Sequence, residues 1–118
     1  MRSIPPVSHP LPEPLIELVA QRFRVLGEPM RIRLLDQLRE EGDATVGDLQ
    51  QALGASQQNV SKHVGVLAQA GIVGREKDGN RVRCFIADES IFELCELVCG
   101  GLRARVADLD QLLAGGAA

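Results

Sequence analysis

The sequence predicts a mainly helical domain with one small β-hairpin before the last helix. Apolar residues recur every three or four positions in five segments, a spacing typical of helices that bury one face. Between the fourth and fifth segments, alternating residues flank the turn Asp78-Gly79-Asn80, which indicates two short strands. The chain has 118 residues, and such a length supports one modest core. The predicted order is therefore four helices, two strands and a fifth helix.

The amino-terminal part is predicted to be an arm followed by two helices. Residues 1–14 hold five of the six prolines, and proline lacks the amide hydrogen that regular structure needs. The first helix is predicted from Pro14 to Leu26, where Gly27 breaks it. The second helix is predicted to end at Gly42. We expect the arm to be extended or mobile.

Two further helices are predicted on either side of a three-residue break, 54–56. Thr45 is expected to cap the third helix, with Asp48 as the acidic half of a capping box. Ser56 is expected to cap the fourth helix, which ends near Ala70 and Gly71. Its apolar spacing predicts that Val60, Val64 and Leu67 are buried, and that Gln57, Gln58, Asn59, Lys62 and His63 lie on the outer face.

A long last helix is predicted from Asp88 onward, interrupted only at Gly100-Gly101. Its apolar residues recur at helical spacing as far as Leu113. Residues 114–118 are expected to be a frayed tail. The sequence thus divides into an arm (1–14), a folded domain (15–113) and this tail.

Charge and composition narrow the class of function. Only 3% of the residues are aromatic, which excludes single-strand binders that stack bases on aromatic rings. The net charge is −3, yet residues 56–83 hold five basic and two acidic residues. This positive window is typical of a surface that faces phosphates, and a chance cluster on a solvated face is the alternative.

Several other classes of protein are not expected. No segment is apolar and long enough for a membrane span, and no secretory signal precedes the domain, so we expect a cytoplasmic protein. Nucleophile–base pairs, carboxylate pairs and glycine-rich phosphate loops are missing at workable spacing, so we do not expect an enzyme.

Two short helices followed by a basic hairpin form a helix-turn-helix with a wing. In this arrangement the second helix enters the major groove by its amino-terminal end, and the hairpin reaches the DNA backbone or minor groove alongside. Amide side chains can read adenine edges, whereas hydroxyl and cationic groups bind phosphate. The candidate DNA-binding residues are Ser56, Gln57, Gln58, Asn59, Ser61, Lys62, His63, Lys77, Asn80, Arg81 and Arg83.

Three segments carry a resemblance to a known family. SQQNVSKHVGVLAQAGIV, with LGEPMRIRLLDQL before it and DGNRVRCFIAD after it, resembles the ArsR/SmtB family of winged-helix repressors. The resemblance extends from Leu15 to Leu113. It implies a homodimer held by the first and last helices, with two recognition helices on an inverted repeat of double-stranded DNA. A protein-interaction module without an operator is the alternative function.

The three cysteines are the candidate effector site, because members of the family are often released from DNA by metal or metalloid ions. Cys95 and Cys99 lie one helical turn apart, and with Cys84 they supply thiolates suited to a soft ion such as As(III). No resident cofactor is expected. Histidine-based metal sites are not expected either, since His9 and His63 are the only histidines. Thiol oxidation or persulfidation, and plain burial as small apolar residues, remain open alternatives.

Overall fold

The computed structural model describes residues 6–115, which form five helices and three strands. Contacts divide the chain into a first unit that ends at Ala87 and a second that begins at Asp88. In chain order the elements are α1 (Glu13–Leu26), α2 (Pro29–Glu41), β1 (Asp43–Thr45), α3 (Val46–Leu53), α4 (Gln57–Gln69), β2 (Val73–Asp78), β3 (Arg81–Ile86) and α5 (Ser90–Gly115). The mainly helical winged helix-turn-helix fold is confirmed.

The core of the first unit lies between its helices and the inner face of its sheet. Burying one large aliphatic side chain stabilises a fold by about 1.5–3 kcal/mol. Helix α4 contributes three consecutive steps of its stripe to this core, as its periodicity predicts. The side chains with the least exposure are Leu34, Leu38, Leu49, Val60, Val64, Leu67, Ile72 and Cys84.

Local features fix both ends of α3. The Thr45 hydroxyl accepts from the Asp48 amide at 3.0 Å, and the Asp48 carboxylate accepts from the Thr45 amide at 3.2 Å. The hydrogen bonds with Thr45 lower the pKa of Asp48, so its carboxylate stays ionised. Gly54 ends α3 with a φ of 61°, a conformation that glycine adopts without strain. The predicted capping box is confirmed.

The sheet contains one strand that the sequence did not predict. Its order is β1-β3-β2, and both pairings are antiparallel. β1 is three residues long and pairs Asp43 with Phe85 and Thr45 with Arg83. A strand this short shows no periodicity, and its partner lies about 40 residues away in the chain. β2 and β3 are the predicted hairpin, with Gly79 at a φ of 65° in its turn.

Gly74 is the position at which the wing tolerates no side chain. It pairs with Phe85 across the hairpin, and a Cβ on Gly74 would overlap the aromatic ring of Phe85. We therefore expect Gly74→Ala to lower the free energy of unfolding by about 1–3 kcal/mol, the usual cost of overpacking. Thermal unfolding followed by circular dichroism measures this change. Gly65→Ala is the control, because a Cβ there meets nothing within 4 Å and alanine favours a helix over glycine, so it should melt at or above the wild-type temperature. A Gly74→Ala protein that melts no lower than the wild type would contradict the prediction.

The second unit is built on α5, which begins at Ser90, two residues later than predicted, and continues to Gly115. The helix runs without a break through Gly100 and Gly101, so the predicted interruption there is wrong. Two glycines cost a helix about 1 kcal/mol each relative to alanine, which the long flanking helical segments tolerate.

The predicted ends of the chain are only partly described. Residues 6–12 have no helix or strand, and α1 begins at Glu13, one residue earlier than predicted. Ala114 and Gly115 are helical rather than frayed. The remainder of the predicted arm, residues 1–5, and of the predicted tail, residues 116–118, lies outside the described residues. Among the described helices, none is long and apolar enough to cross a membrane.

Candidate nucleic-acid interface

The amino-terminal half of α4 presents a polar outer face. Gln57, Gln58, Ser61 and Lys62 are exposed, and Asn59 is half-buried. Residues four apart lie on the same face of a helix, so Gln58 is aligned with Lys62 and Gln57 with Ser61. An amide beside a cation or hydroxyl is an arrangement that can read a base edge while contacting the adjacent phosphate.

Ser56 fixes the start of this helix. Its hydroxyl oxygen accepts from the Asn59 amide at 3.1 Å, as the sequence predicts for an amino-terminal cap. The hydroxyl hydrogen is still available to donate, because the cap uses only the oxygen's acceptor capacity. The free amides of a helix amino terminus also favour an anion. Both properties suit a phosphate at this end of α4.

His63 does not lie where the sequence predicts. It was expected on the outer face of α4, but it is only 6% exposed, so that prediction of exposure is wrong. Its position follows from the spacing of the buried stripe, since 60, 63, 64 and 67 are the steps of one helix face. Arg31 of α2 donates from Nε to Nδ1 of His63 at 3.2 Å, which gives this buried nitrogen a partner. His63 is therefore not part of the exposed surface of α4.

The free end of the hairpin carries the exposed residues of the wing. Lys77, Asn80 and Arg81 are exposed near the turn at Gly79. Side chains alternate between the two faces of a sheet, and the β2–β3 register places Lys77 and Arg81 on opposite faces. Each face of the wing tip thus carries one cation, and Asp78 lies beside Arg81 on the same face.

Arg83 is less available than the other cations of the hairpin. Its guanidinium lies 3.1 Å from the Asp43 carboxylate and 3.4 Å from that of Asp78. The nearby charge of Asp43, with the hydrogen bond to Asp78, raises the pKa of Arg83. Arg83 therefore stays charged, but the two carboxylates neutralise its charge locally. Arg83 ties β3 to β1 and to the end of β2. Sequence reasoning missed Asp43, because it is 40 residues away in the chain and the strand that carries it was not predicted; Asp78 lies in the predicted hairpin, five residues from Arg83.

The cysteines differ in their surroundings. Cys84 is 0% exposed, and burial raises the pKa of its thiol. Cys95 is half-buried and Cys99 is exposed, both on α5. Within residues 6–115, no group of three or more His, Cys, Asp or Glu side chains is arranged to hold a metal ion. Cys84 therefore fits the alternative of a small buried core residue, whereas the pair on α5 keeps the one-turn spacing that the sequence predicts.

The polar helix after a tight turn and the cationic hairpin beside it are the parts of a winged helix-turn-helix protein that binds DNA. A family model described as a helix-turn-helix domain matches residues 26–75. The HTH-type transcriptional regulator Rv0081 of Mycobacterium tuberculosis (strain ATCC 25618 / H37Rv) is 40% identical over 111 residues, which cover 90% of this chain and 96% of the relative. The crystal structure of Rv0081 matches with a TM-score of 0.73 at 38% identity, covering 82% of this chain and 97% of that one.

Two further relatives are named as transcriptional repressors. The HTH-type transcriptional repressor SmtB of M. tuberculosis (strain ATCC 25618 / H37Rv) is 34% identical over 82 residues, or 70% of this chain and 60% of SmtB. The crystal structure of the antimony-specific transcriptional repressor AntR matches with a TM-score of 0.66 at 29% identity, over 89% of this chain and 98% of AntR. The chain belongs to the ArsR/SmtB family of winged helix-turn-helix transcriptional regulators. This confirms the predicted family, and the expectation that the protein is a DNA-binding regulator rather than an enzyme.

Proposed function

We propose that this protein is a dimeric repressor, in which two copies of α4 bind the two halves of an inverted-repeat operator. The single observation that carries the proposal is the exposed face of α4, on which Gln58 and Lys62 are aligned. A two-fold symmetric protein presents this face twice, and such a protein binds half-sites about one helical turn apart. A repressor that acts on chromosomal DNA in this way is a cytoplasmic protein.

The proposed dimer is supported by apolar side chains that the single chain leaves exposed. Contiguous exposed apolar stripes on helices are typical of surfaces that a partner covers. On α1 this exposed set consists of Ile16, Leu18, Val19 and Phe23, and on α5 it includes Val98, Leu102, Val106, Leu109 and Leu113. The α5 set recurs at steps of three and four, so it forms one stripe that suits packing against a second helix.

The residues of the interface take two proposed roles. The amide side chains of Gln57, Gln58 and Asn59 read base edges, because an amide can offer donor and acceptor together. The phosphate contacts come from the helix cap, the outer face of α4 and the tip of the wing. These are Ser56, Ser61, Lys62, Lys77, Asn80 and Arg81, with Arg83 contributing less because Asp43 and Asp78 oppose its charge.

A protein-interaction module is a poorer description of the same surface. A helix that docks in or accepts a protein groove presents apolar anchors at helical spacing. The apolar residues Val60, Val64 and Leu67 of α4 are buried within the first unit instead. Its exposed residues are amides, a hydroxyl and a cation, which are the groups that bind nucleic acid.

We further propose a thiol-dependent effector, taken by Cys95 and Cys99. They lie one turn apart on α5, a spacing at which two side chains can reach the same ion, and thiolates suit a thiophilic ion such as As(III) or the sulfur transfer from a persulfide. The name of AntR, an antimony-specific repressor, supports a related metalloid as the class of effector. Bound effector must favour the form of the dimer that does not bind DNA, since equal affinity for both forms shifts nothing.

The thiol proposal predicts release from DNA that depends on the α5 pair. Complexes of protein with operator are titrated with As(III), Cd(II), Zn(II) and a persulfide donor in turn, and followed by fluorescence anisotropy. We expect a thiophilic reagent to release the wild type but not Cys95→Ser/Cys99→Ser. Cys84→Ser is the matched control and should still be released, because Cys84 is a buried core residue. Release that persists in the double variant, or a wild type that no reagent releases, would contradict the thiol proposal.

The proposed repressor itself is tested by an electrophoretic shift on the DNA upstream of its own gene. We expect a sequence-specific complex that survives excess non-specific competitor, since specific affinities exceed non-specific ones by at least about 10³-fold. Reporter transcription from the same DNA should fall when the protein is added. The absence of any sequence preference would contradict the proposal and favour the interaction module.

A further inference from the structure

Three polar side chains meet beneath the recognition helix, at the start of α2. Arg31 donates from Nε to Nδ1 of His63 at 3.2 Å and from Nη1 to the Val25 carbonyl at 2.9 Å. The Arg31 amide donates to the Glu28 carboxylate at 3.1 Å, and the same carboxylate oxygen lies 3.8 Å from Nδ1 of His63. One arginine thus connects the end of α1, the start of α2 and the middle of α4.

The direction of these bonds defines the state of the imidazole. Arginine has five N–H donors and no acceptor, so Nδ1 of His63 must be the acceptor in its bond with Arg31. The ring proton of neutral His63 is therefore assigned to Nε2. The Glu28 carboxylate beside the pair opposes the charge of Arg31, which reduces the cost of its partial burial.

His63 occupies a position that controls the rotation of α4 about its own axis. It follows Lys62 directly and lies four residues after Asn59, on the buried side of the helix. The aliphatic side chains of α4 hold the helix against the core, but their contacts are less directional than a hydrogen bond. A hydrogen bond weakens steeply with misalignment, so the bond to Arg31 fixes the rotation that points Gln58 and Lys62 outward.

We propose that Arg31 and His63 are positioning residues for DNA recognition, which hold α4 at the rotation its exposed side chains need and which touch no DNA themselves. This inference rests on the proposed operator-binding function. It assigns a role to two residues whose side chains face each other inside the first unit. Loss of this pair would leave the base-reading amides and the phosphate-binding cations present. It would change only their orientation toward the DNA.

The test compares four variants with the wild type in operator binding and in its salt dependence. His63→Leu removes the acceptor and keeps the bulk, whereas His63→Asn keeps an acceptor near the place of Nδ1. Arg31→Met removes the donor, and Arg31→Met/His63→Leu completes a double-mutant cycle. Melting temperatures establish that each protein is folded at the temperature of the binding assay.

We expect His63→Leu and Arg31→Met each to weaken operator binding about tenfold, the scale of one hydrogen bond to a charged group. His63→Asn should recover most of that loss. The double variant should bind no worse than Arg31→Met, because that variant has already lost the bond between Arg31 and His63. The dependence of log affinity on log salt concentration should stay as in the wild type for all four, since no phosphate contact is lost.

Two results would overturn the proposal. A shallower salt dependence in Arg31→Met or His63→Leu shows a direct phosphate contact and overturns the proposal. Variants that melt at lower temperature but bind the operator as tightly as the wild type show a purely structural role, and also overturn it. If the wild type does not bind an operator, the proposed function fails together with this inference. If the wild type binds and the variants bind with the same affinity, this inference alone fails.

Nuclear magnetic resonance of the imidazole nitrogens gives a second test, which examines the bond between Arg31 and His63 without DNA. His9 is exposed and is the only other histidine, so it serves as the reference. We expect His63 in the wild type to show the Nε2–H tautomer with Nδ1 as acceptor, and Arg31→Met to shift the Nδ1 signal while leaving His9 unchanged. A wild-type His63 protonated on Nδ1 would overturn the proposed bond.

Discussion

Leu102→Glu is expected to convert the protein to a monomer and to abolish tight operator binding. Leu102 is 58% exposed in the single chain and lies within the stripe of Val98, Val106 and Leu109 on α5. A carboxylate at a covered apolar position leaves an unpaired buried charge, which costs about 3–5 kcal/mol and raises the dimer dissociation constant at least about 100-fold. A monomer binds only one half-site, so the gain of about 10²–10⁴ from joining two half-sites is lost as well.

Light scattering coupled to size exclusion measures the mass, and anisotropy measures operator affinity, on the same samples. Gln111→Glu is the matched control, because it adds the same charge to an exposed position of α5 outside the stripe. We expect that control to remain a dimer and to bind as the wild type does. Tight operator binding by Leu102→Glu as a dimer would show that the α5 stripe is not the interface.

Gln58→Ala and Lys62→Ala are expected to weaken the complex in two different ways. Removing the amide should cost about 1–3 kcal/mol per half-site and relax base preference at one position, with the salt dependence unchanged. Removing the cation should weaken binding to all sequences alike. It should also reduce the slope of log affinity against log salt by about 1.8 for a dimer, since two phosphate contacts are lost at about 0.9 each.

Both variants are measured on the operator and on a scrambled duplex, over a range of salt concentrations. Arg33→Ala is the control for charge, because Arg33 is an exposed cation of α2 outside the proposed surface. We expect it to bind both duplexes as the wild type does. If Gln58→Ala changed the salt slope, or Lys62→Ala changed only base preference, the roles assigned to these two side chains would have to be exchanged.

The sequence predicts this fold well because its signals are local. The capping box of Thr45 and Asp48, the break at Gly54 and the cap at Ser56 depend on residues three or four apart, and the structure contains each of them. The apolar stripes of the helices are equally local, because their residues also lie three or four positions apart. The family resemblance added the expectation of a dimer on an inverted-repeat operator.

Two kinds of feature were missed by sequence reasoning. Some depend on contacts between distant segments, and one, the burial of His63, sets the polarity of a side chain against the helical spacing of its position. β1 and the Asp43–Arg83 ion pair join segments about 40 residues apart. His63 lay on the apolar stripe of α4 by its spacing, but its polar ring argued for the outer face. The partner that makes its burial acceptable, Arg31, is 32 residues earlier, and nothing local identifies it.

The most direct test of the central claim is a methylation-protection footprint of the dimer on its operator. Dimethyl sulfate modifies guanine N7, which lies in the major groove that α4 is proposed to enter. We expect two protected groups of guanines related by two-fold symmetry, with centres about 10–10.5 base pairs apart. Each group should lose its protection in Gln58→Ala/Lys62→Ala. A single protected group, or guanine N7 positions that remain fully reactive in the complex, would contradict the claim that two copies of α4 read the major groove.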